Sequence, residues 1–182
     1  MRTSILFLVL LISTALAPAQ ETRTEVVKAT TPHDDSKKNS DAVPEVYAIP
    51  AQFKRVIVLR LKYQTDLLNG LEVLVKKEKV KNAVILSAIG SVRGYHYHTV
   101  SNREFPSRNG FVKNPTAPAD IVGMNGYVID GRIHAHVTLA DPDKAFGGHL
   151  EPGTEVFTFA AVTIGVLDRK ADLGRLDDKT HR

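Results

Sequence analysis

The chain has 182 residues, 43% of them hydrophobic, with no cysteine and a formal net charge of +4. That length and apolar content suit one domain with processing and linker segments, and the missing thiols exclude disulfides, thiolate metal sites and cysteine nucleophiles. The positive surplus, about three charges once Arg2 leaves with a leader, is too small to demand a polyanionic partner.

Residues 1–19 read as a secretory signal. Arg2 supplies the positive start, Ile5 to Ile12 an unbroken apolar run and Ala17-Pro18-Ala19 a small-residue cleavage site. The run is shorter than the roughly 20 apolar residues that span a bilayer. The expectation is therefore export, to the periplasm or outside the cell, with cleavage before Gln20 and no stable membrane span afterwards. Residues 20–49 are polar, mixed in charge and without sustained periodicity, as in a flexible linker. His33 within them, and His181 near the other end, are expected to be solvent-exposed.

The ordered domain is expected over residues 50–168. FKRVIVLRLKY, from Phe53, interleaves apolar and polar residues as a half-buried strand does. Thr65 or Asp66 then caps a helix whose Leu67, Leu68, Leu71, Leu74 and Val75 share a face. Lys76, Lys77, Lys79 and Lys81 crowd its end, where positive charge complements the helix dipole. AVILSAIGSV, Ala83 to Val92, suits a central strand, and Gly94 to Ser101 continues as an alternating one. Asn102 to Asp120, with Pro106, Gly110, Pro115 and Pro118, predicts a long loop. IVGMNGYVIDG predicts a strand ending in a turn at Asp130-Gly131, followed by a histidine-bearing strand and a last strand from Glu155 to Leu167. Residues 169–182 are expected to be a flexible tail. One early helix followed by a run of strands indicates an α+β domain with a largely antiparallel sheet.

The segment Gly131 to Leu150, GRIHAHVTLADPDKAFGGHL, concentrates the chemistry. On a strand, Arg132, His134, His136 and Thr138 share one face while Ile133, Ala135, Val137 and Leu139 share the other. Burial explains the apolar face. The two imidazoles, about 7 Å apart along the strand from twice the residue rise, grip one ion if a third donor arrives. His149 is the candidate, returned by a turn-rich connection of Asp141, Pro142, Asp143, Gly147 and Gly148. Its two glycines favour close backbone approach or an unusual dihedral. Neutral imidazole suits zinc and related divalent ions, and three histidines leave a fourth position open. Two histidines on a solvated strand face are the competing reading, and spacing alone leaves both open.

A second pair, His96 and His98, lies in GYHYHTV with Tyr95 and Tyr97 on the opposite face. It reads as an aromatic packing face backed by an exposed or interface face, with either histidine able to line the metal pocket if the strands are neighbours. Ser87 and Ser91 have no visible base partner, and Asp141, Glu151 and Glu155 read as solvated turn carboxylates. Nucleophile-elbow, Walker and dinucleotide fingerprints are absent.

Taken together, AVILSAIGSV, the Gly126 to Ala140 strands with HAHVTLAD, and GGHLEPGTEVFTFAAVTI resemble the plant and prokaryote conserved domain (PPC, also PCC) over about residues 53–167. The resemblance implies an α+β fold usually assembled as a homotrimer. It also implies metal association at His134, His136 and His149. Plant members join this domain to AT-hooks and are described as DNA-binding. No Arg-Gly-Arg-Pro hook occurs here, so no nucleic-acid partner is expected. A more distant resemblance to α-acetolactate decarboxylase implies zinc acting as a Lewis acid. In that setting Arg132 and Arg93 would meet an anionic substrate, with His96, His98, Gly147 and Gly148 as further pocket residues. The family commonly carries a glutamate where Ala161 stands, so a carboxylate for acid–base chemistry is missing. The resulting expectation is an exported, homotrimeric protein that binds a divalent ion, zinc, and a small ligand or protein partner. The alternatives are a zinc-dependent lyase or hydrolase acting on a small carbonyl or carboxylate compound, and a DNA-binding protein.

Overall fold

Asp66, not Thr65, starts the helix. Its Oδ1 accepts a hydrogen bond from the Asn69 amide at 2.9 Å, while Oδ2 accepts one from the Gly153 amide at 2.6 Å. The helix, α1 (Leu67–Lys77), buries Leu67, Leu71 and Val75 and ends with Lys76 and Lys77 in its last turn. The structure is a computed structural model that describes residues 23–28, 38 and 41–177. The expected leader, His33 and His181 lie outside the described residues. Among the described residues, no helix is long and apolar enough to cross a membrane.

Among the described residues, eight strands form one antiparallel sheet: β1 (Thr24–Lys28), β2 (Phe53–Lys62), β3 (Ala83–Val100), β4 (Asn109–Asn114), β5 (Ala119–Ile129), β6 (Arg132–Ala140), β7 (Ala145–Leu150) and β8 (Glu155–Leu167). The two alternating segments predicted at Ala83 to Val92 and Gly94 to Ser101 are one strand of 18 residues. Its length organises the sheet. The first half of β3 lies between β5 and β8, and the second half lies between β4 and β7. β5, β6 and β7 run as successive hairpins, so the chain leaves the first half of β3 and returns to the second. β2 pairs outside β8. Helix α1 packs against β6 and β8, and the core beneath it includes Ala135, Val137 and Leu139 from the apolar face of β6. The opposite face of β6 is left open to solvent, with Arg132, His134, His136 and Thr138 exposed.

Three segments are more ordered than their composition suggests. Asn102 to Asp120 is not all loop: β4 lies within it, with Val112 and Asn114 buried and paired against β3. The flanking prolines hide a strand that its neighbour's free edge recruits. Thr24–Lys28, inside the expected linker, adds to the outer edge of β4; TEVVK is rich in β-branched residues, which fit a pleated edge. In the expected tail, Ala171 and Leu173 are buried with Ile129 and Leu167, and Leu173–Asp177 forms a 3-10 helix. Asn82 explains the docking. Its Nδ2 donates to the Ala171 carbonyl at 2.8 Å, while its Oδ1 accepts from the Asp130 amide at 3.1 Å.

Candidate metal centre

Two turns set the histidines' register. At the β5–β6 turn, Asp130 and Gly131 adopt positive φ of 49° and 82°, as a two-residue hairpin requires. His134 therefore lies opposite Tyr127, and His136 opposite Asn125. At the β6–β7 turn, Asp141 Oδ1 accepts from the amides of Asp143 and Lys144, both at 2.9 Å. This self-bonding of an aspartate closes the turn and pairs His136 with His149.

Gly147 and Gly148 lie inside β7, not in the turn where the sequence places them. They are there because β7 is squeezed between two strands. A Cβ on Gly147, whose φ is 153°, would stand 2.0 Å from the Val137 carbonyl oxygen, and one on Gly148 would stand 2.3 Å from that of His98. Side chains at these positions would push β7 away from both neighbours. The glycines thus allow His149 to sit between β6 and β3.

One ring nitrogen from each of His134, His136 and His149 can be chosen so that all lie within 4.8 Å of one another. Ring centroids are 5.6 Å apart for His134 and His136, 4.8 Å for His134 and His149, and 5.3 Å for His136 and His149. A tetrahedral ion with metal–nitrogen bonds of about 2.0–2.1 Å places its ligand nitrogens about 3.4 Å apart, so the three rings would draw together around one. The group fits a divalent ion in its chemistry as well. Burial, and then the nearby His98, His134 and His136, push His149 down to about 4, against the opposing effect of Glu151. Burial, followed by His134 and His98, also lowers His136. Both imidazoles are held in the neutral, lone-pair-bearing form that a metal requires.

His98 stacks on His149, with ring centroids 4.5 Å apart, and its Nδ1 donates to Glu151 Oε1 at 2.5 Å. It borders the three-histidine group. His96 is tied differently, with Nδ1 donating to the Pro152 carbonyl at 2.8 Å. Arg93 does not join the site: its guanidinium donates to the Tyr63 hydroxyl at 3.0 Å and pairs with Glu155 at 3.6 Å. Arg132 shares the strand face of His134 but is not part of the wall of the adjoining cavity. That cavity, of about 420 Å³, opens beside His134 and His136 between Val84, Ile85, Asn125, Tyr127, Ile129 and Leu176. Sequence reasoning missed Asn125, Tyr127 and Leu176. The first two follow from counting back through the Asp130-Gly131 hairpin; Leu176 carries no such signal.

Residues 49–168 match the Plants and Prokaryotes Conserved (PCC) domain. The chain is 25% identical over 129 residues to the Bifunctional protein GlmU of Synechococcus sp. (strain JA-3-3Ab). That match takes in 70% of this chain and 20% of the relative, so the chain spans about a fifth of the length of the curated relatives it matches. Among solved structures it is similar to a metal-containing protein from Archaeoglobus fulgidus, at 26% identity and a TM-score of 0.57 over 69% of this chain and 89% of that one. It is also similar to a plant- and prokaryote-conserved (PPC) protein from Pyrococcus horikoshii, at 25% identity and a TM-score of 0.55 over 68% and 85% of the two chains.

Proposed function

The chain belongs to the PCC domain family, and we propose on that premise that it is an exported, homotrimeric protein holding a zinc ion on His134, His136 and His149. The ion would sit beside a pocket for a small ligand. The observation that carries this reading is the convergence of three ring nitrogens from β6 and β7 within 4.8 Å. Similarity to the metal-containing archaeal protein supports it. A bound ion would supply Lewis acidity and an open coordination position. The chain's own residues hold His136 and His149 neutral, fix the register of all three ligands and keep one side of the site apolar. Export rests on the leader-like composition of residues 1–19. Self-association is supported by exposed apolar side chains on three strands: Val56 and Val58 on β2, Ile89 on β3 and Val122 on β5.

Metal analysis of the purified mature protein, kept free of chelators, tests the central claim. One ion per chain is expected; absence of any stoichiometric ion overturns it. Sedimentation of the same sample reports a trimer or its absence.

The cavity beside His134 and His136 favours a second reading, a zinc-dependent lyase or hydrolase acting on a small carbonyl or carboxylate compound. Ala161 weighs against it. That residue lies between Arg60 on β2 and Ile89 on β3 and offers no acid or base. Metal-dependent turnover across a panel of keto acids and esters would support the reading, and none would dispose of it. DNA binding is not favoured, because the site presents imidazoles and apolar walls where phosphate contacts call for lysine and arginine.

A further inference from the structure

The wall formed by Leu176 lies outside the residues, 49–168, that match the family domain. It is nevertheless firmly built. Ala171 and Leu173 are buried beneath it, Asn82 holds the Ala171 carbonyl, and the Tyr47 hydroxyl donates to the Arg175 carbonyl at 2.5 Å. The Arg175 guanidinium also lies 5.0 Å from the centre of the Tyr47 ring. Leu176 itself stays 42% exposed, so its replacement leaves the core intact.

The cavity is chemically two-sided. His134 and His136 stand on the β6 side with the Asn125 amide, Tyr127 lies between His134 and Val84, and Val84, Ile85, Ile129 and Leu176 supply apolar wall. Imidazole ligands bring no negative charge, so the double charge of a held ion would be uncompensated, which favours an anionic head group. Asn125, opposite His136, adds an N–H donor for a second oxygen. A volume of about 420 Å³ is within the range of small-ligand pockets.

We infer that the cavity takes a small carboxylate with an apolar body, its head at the histidines, and that Leu176 sets how much of that body is accepted. The inference rests on the metal-binding reading above. Each added methylene that reaches the apolar walls should strengthen binding about fourfold.

Calorimetry on the full-length, metal-loaded protein with acetate, butyrate and hexanoate tests this. Affinity should climb along the series. Leu176→Trp, which crowds the apolar wall, should cost hexanoate about tenfold or more and leave acetate unchanged. Leu176→Ala should weaken hexanoate by several-fold, again sparing acetate. A flat series, or hexanoate binding indifferent to both variants, overturns the inference while leaving a stoichiometric ion in place. A protein that holds no ion overturns the metal reading and this inference with it. The metal content of each sample tells the two failures apart.

Discussion

Two His-x-His pairs stand on strands of the same sheet, His96 and His98 on β3 and His134 and His136 on β6. Their fates diverge over one short stretch of chain. His149 converges on the β6 pair, whereas the residues that follow it tie down the β3 pair, Glu151 through the His98 ring and Pro152 through the His96 ring. Spacing puts two imidazoles on one face in both cases. β7 sets His149 opposite both His136 and His98; what makes one pair a candidate site is that its ring nitrogens converge with that of His149. The other pair has its Nδ1 atoms already engaged.

The sharpest way to break this contrast is to remove one ring from each pair. His136→Ala should reduce the metal content of dialysed protein from one ion per chain to none, because two histidines are too few to retain it. His96→Ala should keep the full complement. Equal losses, measured by elemental analysis on the two variants side by side, would mean that the β3 pair shares in coordination. Next in size is Gly147→Ala. A Cβ only 2.0 Å from the Val137 carbonyl forces β7 to shift, at a cost of about 1–3 kcal/mol for the strained backbone. Thermal unfolding should register the loss, and metal affinity should fall with it because His149 moves with its strand. An unchanged melting temperature would show that β7 does not depend on that close approach.

How far the sequence reaches is clear from the same residues. The alternation in RIHAHVTL announces which side of β6 is buried, and Asp130-Gly131 announces the turn, because side-chain period and hairpin chemistry are local properties. From those two, the placement of His134 against Tyr127 follows by counting. The docking of β7 onto β3 is not local. It joins His98 to His149 across the chain, and nothing within GYHYHTV or AFGGHL states that pairing. The same holds for β4, concealed among prolines, and for Leu173, whose burial depends on Ile129 and Leu167 already being in place. Spacing offered His149 as the third donor and left metal open, and resemblance to the family pointed that set towards metal; neither could supply Leu176, beyond the matched residues.

Acid should also report on the third donor. His149 is held down at about 4, below its ordinary 6.5, chiefly by burial. Between those values the unfolded chain takes up a proton there that the folded chain refuses. Stability of the metal-free protein should therefore decline as pH falls from 6.5 towards 4, with the His149 contribution fully lost once pH passes below the folded value. Urea unfolding at several pH values measures the slope. His149→Gln should flatten it; a slope unaffected by that change would remove this residue as its source.

The smallest effect bears on the border between the pairs. Glu151 does not bond to any of the three histidines; it accepts from His98, which stacks on His149. Glu151→Gln keeps an oxygen to accept that hydrogen bond but removes the negative charge that favours positive charge at His149. The same electrostatics would favour a cation held there, so affinity for a divalent metal should drop. Partners bonded directly to a ligating histidine typically contribute about 10–100-fold, and a charge acting through space on a ring it does not bond should stay below about tenfold. Competition against a chromophoric chelator resolves a change of that size. His98→Phe preserves a ring to stack on His149 while severing the link to Glu151. Because the charge acts through space, Glu151→Gln should lower affinity by a similar factor in the His98→Phe background. A loss from Glu151→Gln as severe as that from His136→Ala would place His98 and its carboxylate within the coordination set, and the distinction between the two pairs would disappear.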